Sequence, residues 1–143
     1  MRAAAASLRL EVEPFRVQGP SDFDSAFQAI TKSRVNAVAV TEDGEFAASF
    51  KTIAALAKES KLPSIGSKEY AEAGGLIGYG VDILNLYRRA AYFVDKILKG
   101  VNPADLPIEQ PTRFEFVINL QTARTLGLNI APILLARADA VIE

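Results

Sequence analysis

The amino-acid sequence describes an α/β domain, a three-layer αβα sandwich on a mostly parallel sheet of five strands. Three observations lead there. Short apolar runs of strand type alternate with stretches of helical period from end to end. Turn-forming Gly, Pro, Asp and Asn fall between them. The chain has 143 residues, half of them hydrophobic, which suits one domain spanning 1–143. A domain of this size buries roughly 70% of its unfolded surface and folds without disulfides or metal staples.

The elements follow in order. Leu8 to Glu13 alternates apolar and polar residues, and Phe15 and Val17 resume the pattern after Pro14, so the first strand is expected here, near an edge or bend. Gly19-Pro20 ends it. Ser21 is placed to cap a helix, with Asp24 as its capping-box partner and Phe23, Phe27 and Ile30 on one face. Ala37 to Val40 is continuously apolar, the pattern of a strand covered on both faces. The turn Thr41-Glu42-Asp43-Gly44 leads into one helix over Glu45–Ser60, with Phe46, Phe50, Ile53 and Ala57 inward. Leu62 to Gly66 forms the third strand, Ser67 to Ala73 a brief helix stopped by Gly74-Gly75, and Leu76 to Gly80 the fourth strand. Asp82 caps the longest helix, whose apolar stripe is Ile83, Leu86, Tyr87, Ala90, Val94, Ile97 and Leu98, with Gly100 closing it. Pro103, Pro107 and Pro111 mark an extended connection to the fifth strand, Phe114 to Ile118. Asn119 caps a helix ending at Gly127, and Pro132 opens a last one through Ala138.

Composition excludes several chemistries. With no Cys and no His, thiol nucleophiles, Ser-His-Asp triads and Cys/His zinc sites are impossible. No carboxylate pair has a recognisable catalytic spacing, so neither an enzyme nor a cofactor or metal is expected. A net charge of −1 without a basic block argues against nucleic acid as a partner. Gly74-Gly75 matches neither a dinucleotide fingerprint nor a phosphate loop. No window reaches the ~20 apolar residues that span a bilayer. The start, Met1 to Ala6, has no apolar core before Arg9 and Glu11 and does not read as a signal peptide.

Ligands of parallel α/β sheets bind beyond the carboxyl ends of the strands, beside helix N-termini. This rule nominates the segments Arg16–Ser21, Thr41–Glu45, Gly66–Glu69 and Gly78–Asp82. Within them Asp43 could accept a hydrogen bond from an amine or hydroxyl and Gly44 leaves backbone N–H groups open; capping or turn formation explains both equally well. Ser67 could face a ligand or cap its own helix. Gly78 and Gly80 would let backbone approach closely, and the Tyr79 ring could stack on a ligand or simply pack. Arg88 and Arg89, on a polar helix face, read as solvated rather than anion-binding. A phosphoacceptor receiver domain shares the alternating pattern, but Gln18-Gly19-Pro20 stands where its acidic pair would be.

Longer motifs add a resemblance. Tyr70 to Gly80, YAEAGGLIGYG, resembles the "EAGGL-x-x-YG" stretch of ABC-importer substrate-binding proteins of the tryptophan/tyrosine type. Tyr87 to Leu128, the closing Leu134 to Glu143, and Val17-Gln18-Gly19-Pro20 through Phe27 are similar to the same family, so the likeness covers nearly the whole chain. It implies a periplasmic-binding-protein type I-like lobe, the second of two, with the amino-terminal lobe absent. Such proteins trap a small solute, amino-acid-like or another small organic molecule, between their lobes and present it to an ABC permease outside the cytoplasm. The resemblance implies that the loop at Asp43-Gly44 and the strand end at Gly78-Tyr79 line the pocket; many members carry Asn where this chain has Gly44. Two other readings are a self-associating domain, a homodimer using the uncovered interlobe surface, and the sensor lobe of a regulator. No DNA-binding helix pair precedes Leu8 to support the latter.

Overall fold

The structure, a computed structural model, describes residues 2–41 and 43–143, without the side chains of Arg2 and Ala3. Met1 and the turn residue Glu42 lie outside the described residues. Met1–Val35 and Asn36–Glu143 form two units, taken separately below.

In the first unit, α1 (Arg2–Ser7) is an Ala-rich helix, Pro20–Asp22 a 3-10 turn and α2 (Phe23–Lys32) an amphipathic helix. Phe23, Phe27 and Ile30 are its buried residues, as their spacing requires. The strand expected over Leu8 to Val17 does not form. Arg9 sits at φ 56°, Pro14 offers no N–H, and Leu8 and Leu10 are exposed. Without a partner ladder an alternating pattern alone does not hold a strand. Ser21 does not cap α2 either. It lies inside the 3-10 turn, and Asp22 accepts hydrogen bonds from its hydroxyl at 3.3 Å and from the Gln18 N–H at 3.0 Å.

The second unit carries β1 (Val38–Ala39), α3 (Gly44–Ala48), α4 (Phe50–Glu59), β2 (Ser64–Gly66), α5 (Lys68–Glu72) and β3 (Ile77–Val81). It continues with α6 (Ile83–Leu98), a 3-10 turn at Pro103–Asp105, β4 (Phe114–Asn119), α7 (Leu120–Thr125), α8 (Pro132–Leu135) and β5 (Ala140–Ile142). The sheet has five strands in the order β1-β2-β3-β4-β5, with every pairing parallel except β3 with β4. The mostly parallel α/β architecture is therefore as expected, but its membership differs. The fifth strand is Ala140–Ile142, where Asp139 N–H binds the Phe116 carbonyl and brings the chain end onto β4. Val38 is half-buried and Ala39 exposed, because β1 is an edge strand and not covered on both faces. The helix expected over 45–60 breaks at Ser49, which caps both α3 and α4 at φ −112°, ψ 7°.

The core of this unit is built around Tyr70. The α4 face of Phe50, Ile53, Ala54 and Ala57 is buried, and Phe50 meets the fully buried Tyr70 edge-on at 5.5 Å. Tyr70 needs the space that two glycines leave. A Cβ on Gly66 would stand 2.7 Å from its ring, and a Cβ on Gly75 would enter it. Gly78 lets α5 approach the sheet, since a Cβ there would lie 2.8 Å from the Lys68 Cα. Gly74 turns the chain at φ 109°, as a helix stop should. Asn119 caps α7 through Thr122 N–H at 3.0 Å and donates to the Ala71 carbonyl, while the Thr122 hydroxyl donates to the Gly74 carbonyl at 2.8 Å.

Burial pushes the Tyr70 phenol above its ordinary value, an effect the Ser64 hydroxyl partly opposes, and its oxygen has no hydrogen-bond partner of good geometry. A folded-state value raised in this way favours the neutral phenol. The resulting stability is present below pH 10 and is lost as pH rises beyond it. The chain has four tyrosines, and Tyr79, Tyr87 and Tyr92 are exposed. In an alkaline titration followed by tyrosinate absorbance, Tyr70 should ionise only together with loss of circular dichroism. Four tyrosines ionising in a fully folded chain would contradict the packing.

Candidate functional site: the carboxyl ends of the parallel strands

Strands β1, β2 and β3 are parallel neighbours, so the loops that leave them lie along one end of the sheet. Val38 pairs with Ser64 and Ala39 with Ile65, which sets the loop beginning at Thr41 level with Ser67. Gly66 pairs with Gly78, so Tyr79 follows at the same level on β3. Three of the four segments nominated from sequence thus stand side by side. The fourth, Arg16–Ser21, belongs to the other unit.

Each residue has a definite local task. Asp43 caps α3, its carboxylate accepting Glu45 N–H at 2.9 Å, and it remains exposed. Gly44 has open space where a side chain would be. Ser67 precedes α5 and is buried; its hydroxyl donates to Glu69 at 2.6 Å, so it does not close the helix in the way capping would. Gly78 is buried against α5, with the Ser67 carbonyl 2.8 Å from where its Cβ would be. Its role here is close packing of helix on sheet. Tyr79 points to the opposite face and is 54% exposed. Ser67 and Gly78 are therefore in contact, and Asp43 and Gly44 share the adjacent loop, while Tyr79 rises on the other side of the sheet.

The structure adds contacts that sequence reading did not single out. Tyr79 stacks on Phe114 with 5.8 Å between ring centres and 7° between planes, and meets Phe116 edge-on at 6.3 Å. The antiparallel register of β4 on β3, Tyr79 with Phe116 and Val81 with Phe114, makes this aromatic patch. On the α5 face, Lys68 bonds Glu115 at 2.8 Å, and that carboxylate holds the ammonium above its ordinary value. At the strand end Asp82 caps α6 by accepting Asn85 N–H at 2.9 Å, lies 3.5 Å from Arg113, and donates its own N–H to the Arg113 carbonyl. The alternation of Phe114 and Phe116 was visible in the sequence; their partner was not, because register is a property of the folded pair.

The polar side chains at this sheet end are hydroxyls and carboxylates, several already engaged with their own backbone or ion partners. Among the described residues no cluster of Asp and Glu could hold a metal ion. Nor is any helix of the described residues long and apolar enough to cross a membrane.

Known proteins share this architecture. Residues 1–142 match the family described as ABC transporter substrate binding protein. A structure of an ABC domain in complex with L-Trp from Streptococcus pneumonia superposes with a TM-score of 0.86 at 32% identity, over 98% of this chain and 49% of that one. A conserved domain protein from Vibrio cholerae O1 biovar El Tor gives 0.88 at 26% identity, over 98% and 47%. The tyrosine-binding protein of Clostridioides difficile is 26% identical over 114 residues, 78% of this chain and 33% of that protein. The chain thus spans half or less of the length of the relatives it matches. With the family matching all but the last residue, this chain belongs to the ABC transporter substrate binding proteins.

Proposed function

We propose that the chain is a solute-binding lobe that forms one wall of a small-molecule cleft in a two-lobed importer protein. Its ligand is an aromatic amino acid or a solute of similar shape. Asp43, Gly44, Ser67 and Tyr79 belong to this wall, with Phe114 beside them, while Gly78 packs α5 against the sheet behind it. The observation that carries the reading is the Tyr79–Phe114 stack at the sheet end where three strands finish. A ring half exposed beside another ring offers a flat apolar surface to a third, while the hydroxyl and carboxylate of neighbouring loops face polar groups of the solute. Relatives that bind tyrosine or carry L-Trp support the ligand class. The bound solute would be presented to an ABC permease outside the cytoplasm. No step of the reading requires catalysis or a cofactor.

A single wall covers a ligand poorly, and tight small-molecule sites bury about 70–90% of theirs. Weak binding by this chain alone is therefore expected. Tyr79→Ala should weaken the affinity for L-tryptophan about tenfold, the value of one aromatic pair, and Tyr79→Phe should leave it unchanged. Equal affinities for the wild type and Tyr79→Ala in a fluorescence or NMR titration would remove Tyr79 from the wall.

A further inference from the structure

Most glycines of the second unit are explained by their surroundings. Gly74, Gly100 and Gly127 take positive φ, and Gly66, Gly75 and Gly78 leave no room for a Cβ. Gly44 has neither reason. Its φ is outside the left-handed region, and no described atom lies within 4 Å of the place where its Cβ would stand. It is also the first residue of α3, and a glycine weakens a helix relative to alanine. Backbone and packing would therefore accept a side chain at 44, and α3 would gain from one.

The place left open is beside a carboxylate. Asp43 is exposed and engages one carboxylate oxygen with Glu45 N–H at 2.9 Å. Among the described residues it has no ion-pair partner. The segment Glu42-Asp43-Gly44-Glu45 is acidic, and no Lys or Arg follows before Lys51. Charge here favours a cation. The bare Cα favours a cation with bulk around it. An unsubstituted ammonium group is compact and reaches a carboxylate past an ordinary side chain, whereas a substituted one needs the space.

We infer that Gly44 sets the size limit at the polar end of the solute. The inference rests on the ligand wall proposed above. The missing side chain leaves room beside Asp43 for a substituted amine, so the wall accepts aromatic solutes carrying a secondary ammonium group as well as those carrying a primary one. A side chain at 44 would fill that room and restrict the wall to compact amines.

NMR titration of the full chain with L-tryptophan and with N-methyl-L-tryptophan tests it. The wild type should bind the two with dissociation constants within about twofold of each other. Gly44→Leu should weaken N-methyl-L-tryptophan about tenfold, the effect of one methyl group without room, and L-tryptophan by less than about threefold. Gly44→Ala should lie between the two proteins in this ratio and raise the melting temperature by about 2 °C. A ratio of dissociation constants that both variants leave unchanged overturns the inference, and so does a wild type that already discriminates as strongly as Gly44→Leu. In either case the wall stands if Tyr79→Ala weakens both solutes. Equal affinities for the wild type and Tyr79→Ala remove the wall itself and the inference with it.

Discussion

Gly75→Ala is expected to cost about 3 kcal/mol, the upper end for inserting a methyl group into a packed core, and to lower the melting temperature by about 10 °C. The added Cβ would enter the Tyr70 ring. The ring has no room to yield, for Gly66 borders it closely and Phe50 holds its edge at 5.5 Å. Gly75 N–H also binds the Tyr70 carbonyl at 2.9 Å, so the backbone of one is tied to the other. The mechanism predicts strong coupling. In a Tyr70→Leu background, where the ring is gone, the same Gly75→Ala change should cost less than about 1 kcal/mol. Chemical denaturation of the four variants gives the coupling energy directly. An equal cost in both backgrounds would show that some other feature of the turn demands glycine.

Asn119→Ala should cost about 2–3 kcal/mol. Asn119 is buried and works in two directions. Its carbonyl oxygen caps α7 and its amide reaches the Ala71 carbonyl at 3.0 Å, at the end of α5. Alanine leaves Thr122 N–H without its cap, worth about 1 kcal/mol, and removes a buried hydrogen bond of similar value. The Ala71 carbonyl keeps a bond from Gly74 N–H, which limits the loss. Asn119→Ser retains a capping oxygen but is too short to reach Ala71, so it should recover about 1 kcal/mol of the deficit. Should Ser and Ala be equally destabilising, the cap contributes nothing and the contact with α5 carries the whole effect.

These two sites explain what the family-like motifs do. The stretch around Ala71 to Gly75 and the stretch around Asn119 to Thr122 are 48 residues apart and touch through two hydrogen bonds. Gly74 stops a helix, whereas Gly75 and Gly66 make room for one ring. Much of the motif therefore serves packing, and Gly78 belongs with it through its contact with α5.

Sequence reading reached the features that local chemistry determines. The caps at Asp82 and Asn119, the stop at Gly100 and the buried face of Phe23, Phe27 and Ile30 all form as expected, because each depends on residues within one or two turns. It failed where a partner decides. Leu8 to Val17 alternates correctly yet pairs with nothing, while Ala140–Ile142, short and unremarked, becomes a strand because β4 accepts it. The site divides along the same line. Strand ends at Asp43, Ser67 and Tyr79 follow from the alternation of strand and helix, but the stack of Tyr79 on Phe114 and the ion pair of Lys68 with Glu115 depend on β3–β4 register and α5 docking.

The claim that this end of the sheet is a ligand wall is tested most directly by an amide-resolved NMR titration of the chain with L-tryptophan. The account predicts weak, fast-exchange shifts concentrated at Asp43, Gly44, Ser67, Tyr79 and Phe114. Shifts confined to α4 or α7, or saturable micromolar binding without change at these residues, would contradict it.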